Sequence, residues 1–257
     1  MKTYTKKSLI QALIEIRNKG WIPTSRKNND GGVGNTLEDL LGIEENNLPL
    51  PNAAEWELKA QKKNTTSLIT LFHMEPSPRA YKFVPKILLP EFGWTHQEAG
   101  SRYKDQEKSF RQTINANSYT NRGFSVKVDW NEKKVFVDFA VDRVDNSAYP
   151  DWYEMIKDKS LEPQPYWGFD DLFHKAATKL HNCFFVWAEA KKINDNLCFH
   201  YQDIYMLKKL DKNKFIRAIS DGYLYIDFDA RTGHNHGTKF RLRRETLINL
   251  YAEVTQY

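Results

Sequence analysis

Apolar positions recur at helical spacing from Ser8 to Lys19, where Leu9, Leu13 and Ile16 form one stripe with Ile10 and Ile14 beside it. A helix is predicted there, ending at Gly20, a residue suited to a left-handed C-terminal cap. The polar, glycine-rich run from Ser25 to Gly34 predicts a loop. A second helix is expected from about Asn35 to Leu41, with Leu37, Leu40 and Leu41 apolar and Gly42 closing it. The pattern then changes to strands. Trp56 to Ala60 and Ser67 to Phe72 are expected to pair as a hairpin across the polar turn Lys62 to Thr65.

Residues Pro76 to Arg111 carry four prolines and no sustained period, which predicts a long irregular insertion. Phe124 to Trp130 and Lys134 to Val141 alternate and predict a hairpin turning at Asn131-Glu132. Asn146 to Pro165 reads as a proline-bearing connection. Phe169 to Asn182 is expected to be a helix. Cys183 to Ala190 and Leu197 to Tyr205 should pair over Asn194-Asp195-Asn196. Asp211 is placed to cap a helix reaching about Ser220. Tyr223 to Phe228 and Lys239 to Arg243 are predicted strands, and Glu245 to Ala252 a closing helix. Hairpins mixed with a few helices indicate a mixed α/β or α+β sheet core. A division into residues 1–115 and 116–257 is expected.

The 257 residues suit one domain or two lobes, and 40% apolar with 14% aromatic residues can build a sizeable core. Thirty-eight basic against 33 acidic side chains give +5, a mild preference for a polyanionic partner. Cys183 and Cys198 lack zinc-site spacing and are expected to be buried, reduced thiols. The N-terminal stretch has no apolar signal-peptide core, and no window approaches the roughly 18 apolar residues of a membrane helix. A soluble, cytoplasmic protein without membrane contact is expected.

Chemistry concentrates at Pro51-Asn52 and Glu57-Leu58-Lys59. Metal-dependent nuclease sites have this shape: Pro-Asp, a gap, then acid-X-Lys. Two residues apart on a strand, the acid and the lysine point to one face. The carboxylate can hold a hard cation such as Mg²⁺. The lysine can position the attacking water and offset charge on the reacting phosphorus centre. Here Asn52 stands where such sites have aspartate. Acid-X-Lys alone also describes a solvated strand edge. A rival copy exists at Glu189-Ala190-Lys191, after a strand and with Asp170 and Asp171 upstream. By spacing alone the two compete.

The wider pattern separates them. Gly31 to Gly42, then Pro51-Asn52, Glu57-Leu58-Lys59 and Ser67 to Phe72 together resemble the MvaI/BcnI family of type II restriction endonucleases, a family structurally similar to the mismatch-repair nickase MutH. The resemblance resumes at Asn115 to Tyr119, Asp145 to Ser147, Tyr166 to Asp170 and His234 to Arg241. It implies a restriction-endonuclease-like, PD-(D/E)XK fold with a mixed sheet flanked by helices and two lobes around a DNA cleft. Residues 1–115 would be the catalytic lobe and 116–257 the DNA-recognition lobe. It also implies Mg²⁺-dependent hydrolysis of double-stranded DNA at a short, C·G-rich pseudopalindromic site, one strand at a time, by a monomer. A cognate DNA methyltransferase would act on the same site in the cell.

Matched by motif, Glu57 and the Leu58 carbonyl would bind metal, Lys59 would hold the water, and Glu38 would support the site. Asn52 occupies the place of the metal-binding aspartate. A neutral amide oxygen is a poorer Mg²⁺ ligand than a carboxylate, so three explanations stand: an engineered inactivating change, a natural variant that recruits Glu55, or a protein that binds DNA without cutting.

The segment Asp229 to Gly237 is dense in side chains that reach base edges. Arg can bond guanine in bidentate fashion, Asn can do the same for adenine, and His can donate or accept. The resemblance makes this the recognition loop, with Arg231, His234, Asn235, His236 and Arg241 as base-reading candidates. Some family members place a histidine near the strand end occupied by His73 to test the central base pair. The string His-Asn-His does not indicate an HNH nuclease, which disperses those residues over a ββα unit. Scattered basic residues, Arg26, Arg111 and Arg122 among them, are candidates for phosphate contact or plain solvation.

Overall fold

The structure, a computed structural model, describes residues 4–26, 32–43 and 55–257. In chain order, α1 (Lys6–Asn18), the two-residue β1 (Ile22–Pro23) and α2 (Gly32–Leu41) precede β2 (Glu57–Lys62) and β3 (Ile69–His73). A 3₁₀ turn (Arg79–Tyr81), a π-helical turn (Val84–Leu88) and the short α3 (Leu89–Phe92) lead to β4 (Trp94–Thr95), β5 (Lys108–Ile114), β6 (Arg122–Asp129) and β7 (Lys134–Val144). Then come α4 (Pro150–Ile156), β8 (Tyr166–Gly168), α5 (Phe169–Leu180), β9 (Asn182–Ile193), β10 (Asn196–Leu210) and α6 (Lys212–Ser220). The chain closes with β11 (Leu224–Arg231), β12 (His234–Asn235), β13 (Lys239–Leu242), α7 (Arg244–Asn249) and β14 (Tyr251–Gln256).

Two compact units arise from interleaved segments. One comprises Met1–Ile69, Ala176–Lys214 and Arg243–Tyr257, the other Thr70–Lys175 and Phe215–Leu242. A single division near residue 115 does not describe this arrangement, because β9, β10 and β14 return to the sheet that holds β1 and β2.

The first unit carries a sheet ordered β1-β10-β9-β2, with β14 also on β10. β9 and β10 form the expected antiparallel pair, and Asn194 and Asp195 take the left-handed backbone that their short side chains tolerate. β2 runs parallel to β9, with Glu57 opposite Cys183 and Lys62 opposite Ala188. The predicted hairpin between β2 and β3 is therefore absent; β3 joins β13 in the second unit's sheet. The physical reason lies in β9. Cys183, Phe184, Phe185 and Val186 are all fully buried, as in a strand with neighbours on both edges, and β2 supplies the second neighbour.

Leu9, Leu13 and Ile16 of α1 and Val33, Leu37 and Leu41 of α2 pack with Leu58, Phe184, Val186, Phe199 and Tyr201 in one core. Thr5 caps α1, its hydroxyl accepting from the Ser8 N–H at 3.2 Å. The expected closing helix stops at Asn249. β-Branched Val254 and Thr255 continue instead as β14 on β10.

The second unit holds a sheet ordered β3-β13-β11-β5-β4, with β12 on β11, and a three-stranded sheet β6-β7-β8. The hairpin of β6 and β7 lies where alternation placed it. Phe92, Phe110, Phe124, Phe139 and Phe228 make successive ring contacts with centroids 4.9–5.8 Å apart. Among the residues expected to be irregular, Lys108–Ile114 forms β5 and Pro150–Ile156 forms α4. Pro150 begins α4, since a first-turn N–H needs no partner.

Candidate functional site

Glu57 opens β2 and Lys59 follows on the same face. Lys59 Nζ lies 2.9 Å from Glu57 Oε1, with the lysine side chain 18% exposed and the glutamate 2%. This is a sequestered pair, not a solvated strand edge. A second ammonium reaches the same oxygen: Lys179 Nζ, from the last turn of α5, is 3.6 Å away. The other oxygen, Oε2, is buried and has no hydrogen-bond partner among the described residues. A buried carboxylate oxygen left bare is costly, on the order of 1–3 kcal/mol or more for a charged group, and such an atom needs an explanation.

The neighbourhood is dry. Burial pushes the thiol of Cys183, opposite Glu57 in the register, well above its ordinary range, and the negative charge of Glu57 adds to that. Burial likewise raises the phenol of Tyr251, which donates to the Leu180 carbonyl at 2.8 Å. Both cysteines are free and buried, as expected.

Glu38 lies on α2, whose Leu37 and Leu41 share a core with Leu58. Pro51 and Asn52 fall outside the described residues. Glu55 sits in the turn before β2, exposed, and accepts from the Trp56 indole at 3.2 Å. Among the described residues no cluster of three or more His, Cys, Asp or Glu is arranged to hold a metal. A Mg²⁺ ion does not need one. It keeps several waters and takes one or two carboxylates, and Glu57 Oε2, without a partner among the described residues, is a donor of the required hardness.

The rival triplet resolves differently. Glu189 is six residues beyond Cys183 on β9, about 20 Å along the strand from the level of Glu57. Lys191 Nζ stands 4.0 Å over the Trp21 ring, and both residues line a cleft of about 300 Å³. Among the described residues its ammonium meets an indole, not a carboxylate.

In the second unit the predicted recognition loop forms a hairpin between β11 and β13, and its candidates divide into two groups. Arg231 donates to Glu107 at 3.0 Å and stacks 4.7 Å over Tyr103. Arg241 donates to Asp227 at 3.0 Å. Asn235 is engaged at both ends of its amide: Nδ2 donates to Glu75 at 3.4 Å, and Oδ1 accepts from the Gly237 N–H at 2.9 Å. These three shape the hairpin. His234 and His236 are exposed at its tip, their rings edge to face with centroids 4.2 Å apart.

His73, at the end of β3, meets this hairpin at Gly237. A Cβ there would stand 3.4 Å from the His73 ring, and the φ of +81° also favours glycine. Sequence reading missed Lys179 and Glu75. A basic residue in a helix's last turn is ordinary dipole complementarity, and an acid after a strand carries no signal.

Comparison with known proteins adds identity to this geometry. The family model described as the MvaI/BcnI restriction endonuclease family matches residues 10–251. Among solved structures, restriction endonuclease MvaI in complex with its cognate DNA substrate is similar at 26% identity and a TM-score of 0.76, covering 99% of each chain. MvaI in the absence of DNA is similar at 26% identity and a TM-score of 0.55, covering 100% of this chain and 99% of that one. No curated protein matches. With a mixed α/β architecture of sheets flanked by helices and a match over nearly its whole length, the chain belongs to the MvaI/BcnI restriction endonuclease family.

Proposed function

We propose that this chain is a type II restriction endonuclease that hydrolyses double-stranded DNA at a short, C·G-rich pseudopalindromic site. Family membership supports a DNA-cleaving function in general. The carrying observation for the site itself is the sequestered Glu57–Lys59 pair, whose second carboxylate oxygen has no hydrogen-bond partner among the described residues. Glu57 and the Leu58 carbonyl would hold Mg²⁺. When bound, that ion polarises the phosphodiester and makes its water a better nucleophile. Lys59 orients the water and offsets charge growing on the phosphoryl oxygens. Glu38 supports this pair from α2. His234, His236 and His73 are the groups with reach to base edges, while Arg231, Asn235 and Arg241 hold the hairpin in shape.

With one such site per chain, a monomer would cut the two strands in succession. The first unit would then be catalytic and the second would read sequence. A methyltransferase of the same specificity would protect the host DNA in the cytoplasm.

Asn52 favours a second reading, a sequence-specific DNA-binding protein that does not cut. Restoring the acid decides between them. Asn52→Asp protein is incubated with supercoiled plasmid and Mg²⁺. Open circles that chase into linear DNA support a restriction enzyme. Persistent open circles point to a strand nickase. Tight DNA binding with no cleavage leaves the silent protein.

A further inference from the structure

Two ammonium groups share one carboxylate oxygen at the start of β2. Lys59 and Lys179 stand 2.9 and 3.6 Å from Glu57 Oε1, while Oε2 is buried without a partner among the described residues. Strand register explains how Lys179 arrives. Glu57 lies opposite Cys183, and α5 ends at Leu180, so its last turn delivers a side chain to this end of β2.

The two lysines differ in tether and freedom. Lys59 is fixed two residues along the same strand and is 18% exposed. Lys179 comes from a separate helix, makes the longer contact and is 26% exposed, so its head can swing into water without moving backbone. These three groups sum to one positive charge. A divalent cation approaching Oε2 is repelled by both ammoniums in a site where water screens little. The group free to move relieves that repulsion by leaving.

We propose that Lys179 is a displaceable counter-ion: it holds the Glu57 carboxylate in place when no divalent cation is bound, and departs when one enters. The inference rests on reading Glu57 as a metal ligand. Lys59 already pairs with Oε1, so the second and longer-reaching ammonium is the one that a bound cation can replace.

The test is a calorimetric titration of Mn²⁺ into the DNA-free protein, comparing the parent, Lys179→Met, Lys179→Arg and Glu57→Gln. The expected result is about tenfold tighter Mn²⁺ binding by K179M, with parent-like binding by K179R, and a metal-free melting temperature for K179M below the parent's. Equal Mn²⁺ affinity in K179M and the parent, with only the melting temperature lowered, assigns Lys179 to packing and overturns the proposal. Binding that is absent from the parent and from Asn52→Asp alike, or unchanged in E57Q, removes Glu57 as a ligand and defeats the underlying reading as well.

A measurement on the parent guards against a variant that fails to fold. With ¹⁵N-labelled lysine, Mg²⁺ should shift the Lys179 Nζ resonance towards that of a solvated ammonium. A resonance that stays put while Mg²⁺ binds contradicts displacement.

Discussion

Thr238 donates both its backbone N–H and its hydroxyl to the carboxylate of Glu75, at 2.9 and 3.1 Å. Together with the Asn235 amide, three donors from the hairpin converge on one acid that follows β3. Hydrogen bonds to a charged acceptor contribute about 1.5–3 kcal/mol each in favourable cases. Glu75→Ala should therefore loosen the hairpin while leaving the sheet intact. Hydrogen exchange is the measurement: amides of Gly237 and Thr238 should exchange at least about tenfold faster, with those of β11 and β5 unchanged. Uniform protection across the hairpin would show that Glu75 does not hold it.

Lys59 should matter for turnover and little for DNA affinity. In the Asn52→Asp background, Lys59→Met removes the group assigned to the water. Removing one preorganised charge-stabilising donor commonly costs about 10²–10³ in rate. Single-turnover cleavage should fall on that scale, and fluorescence anisotropy with Ca²⁺ should give a DNA affinity within about threefold. A variant that cuts at the parental rate would sink the assignment.

Arg122 contributes to stability through its rings. Its guanidinium stands 3.8 Å from the Tyr149 centroid, 4.0 Å from Trp94 and 4.7 Å from Trp152, and burial lowers its pKa from the ordinary arginine value. A compact ammonium cannot stack as a planar cation does. Arg122→Lys should cost about 1–2 kcal/mol, since desolvated cation–π contacts reach about 2 kcal/mol. Urea denaturation followed by tryptophan fluorescence checks it, and an unchanged midpoint counts against the sandwich.

Gly123 should tolerate no side chain. Its φ is +72°, and a Cβ would stand 2.5 Å from the Ala140 carbonyl oxygen. Gly123→Ala combines left-handed strain of about 1–2 kcal/mol with a backbone clash of about 1–3 kcal/mol. Its melting temperature should drop by several degrees or more. A neutral effect would mean that the bulge in β6 relaxes freely.

Acid should weaken the second unit through Asp229. Burial works to raise this carboxyl, but the Lys239 hydrogen bond and the nearby charges of Lys239 and Arg111 outweigh it, so the folded value lies below the ordinary 3.8. A depressed acid stabilises the fold above its unfolded value and loses that contribution as pH falls through the lower, folded one. Thermal melts from pH 6 to pH 3 should therefore show Asp229→Asn less stable than the parent near neutrality, with the two converging below about pH 4. Curves that stay parallel would exclude Asp229 from the acid response.

Local pattern was sufficient for much of this molecule. The stripe Leu9, Leu13 and Ile16, the alternation of β6 and β7, and the Asn-Asp-Asn turn each specify their element, because periodicity and turn chemistry are properties of neighbouring residues. Acid-X-Lys on a strand likewise made the Glu57–Lys59 face legible. Partner choice was not legible. That β2 lies parallel to β9 rather than folding back on β3, that Tyr251 to Gln256 finishes as a strand, and that the two units interleave all depend on which buried surface completes which sheet edge.

The same holds for chemistry. Sequence named Glu57 and Lys59, the histidine-bearing loop and the missing acid at Asn52, because those residue types carry their reactivity with them. Only tertiary structure brought Lys179 to Glu57, took Lys191 away to Trp21, and committed Arg231, Asn235 and Arg241 to other side chains. A side chain's reactivity is written in its residue type, but its free valences depend on neighbours brought by the fold, in four of these five cases from more than a hundred residues away.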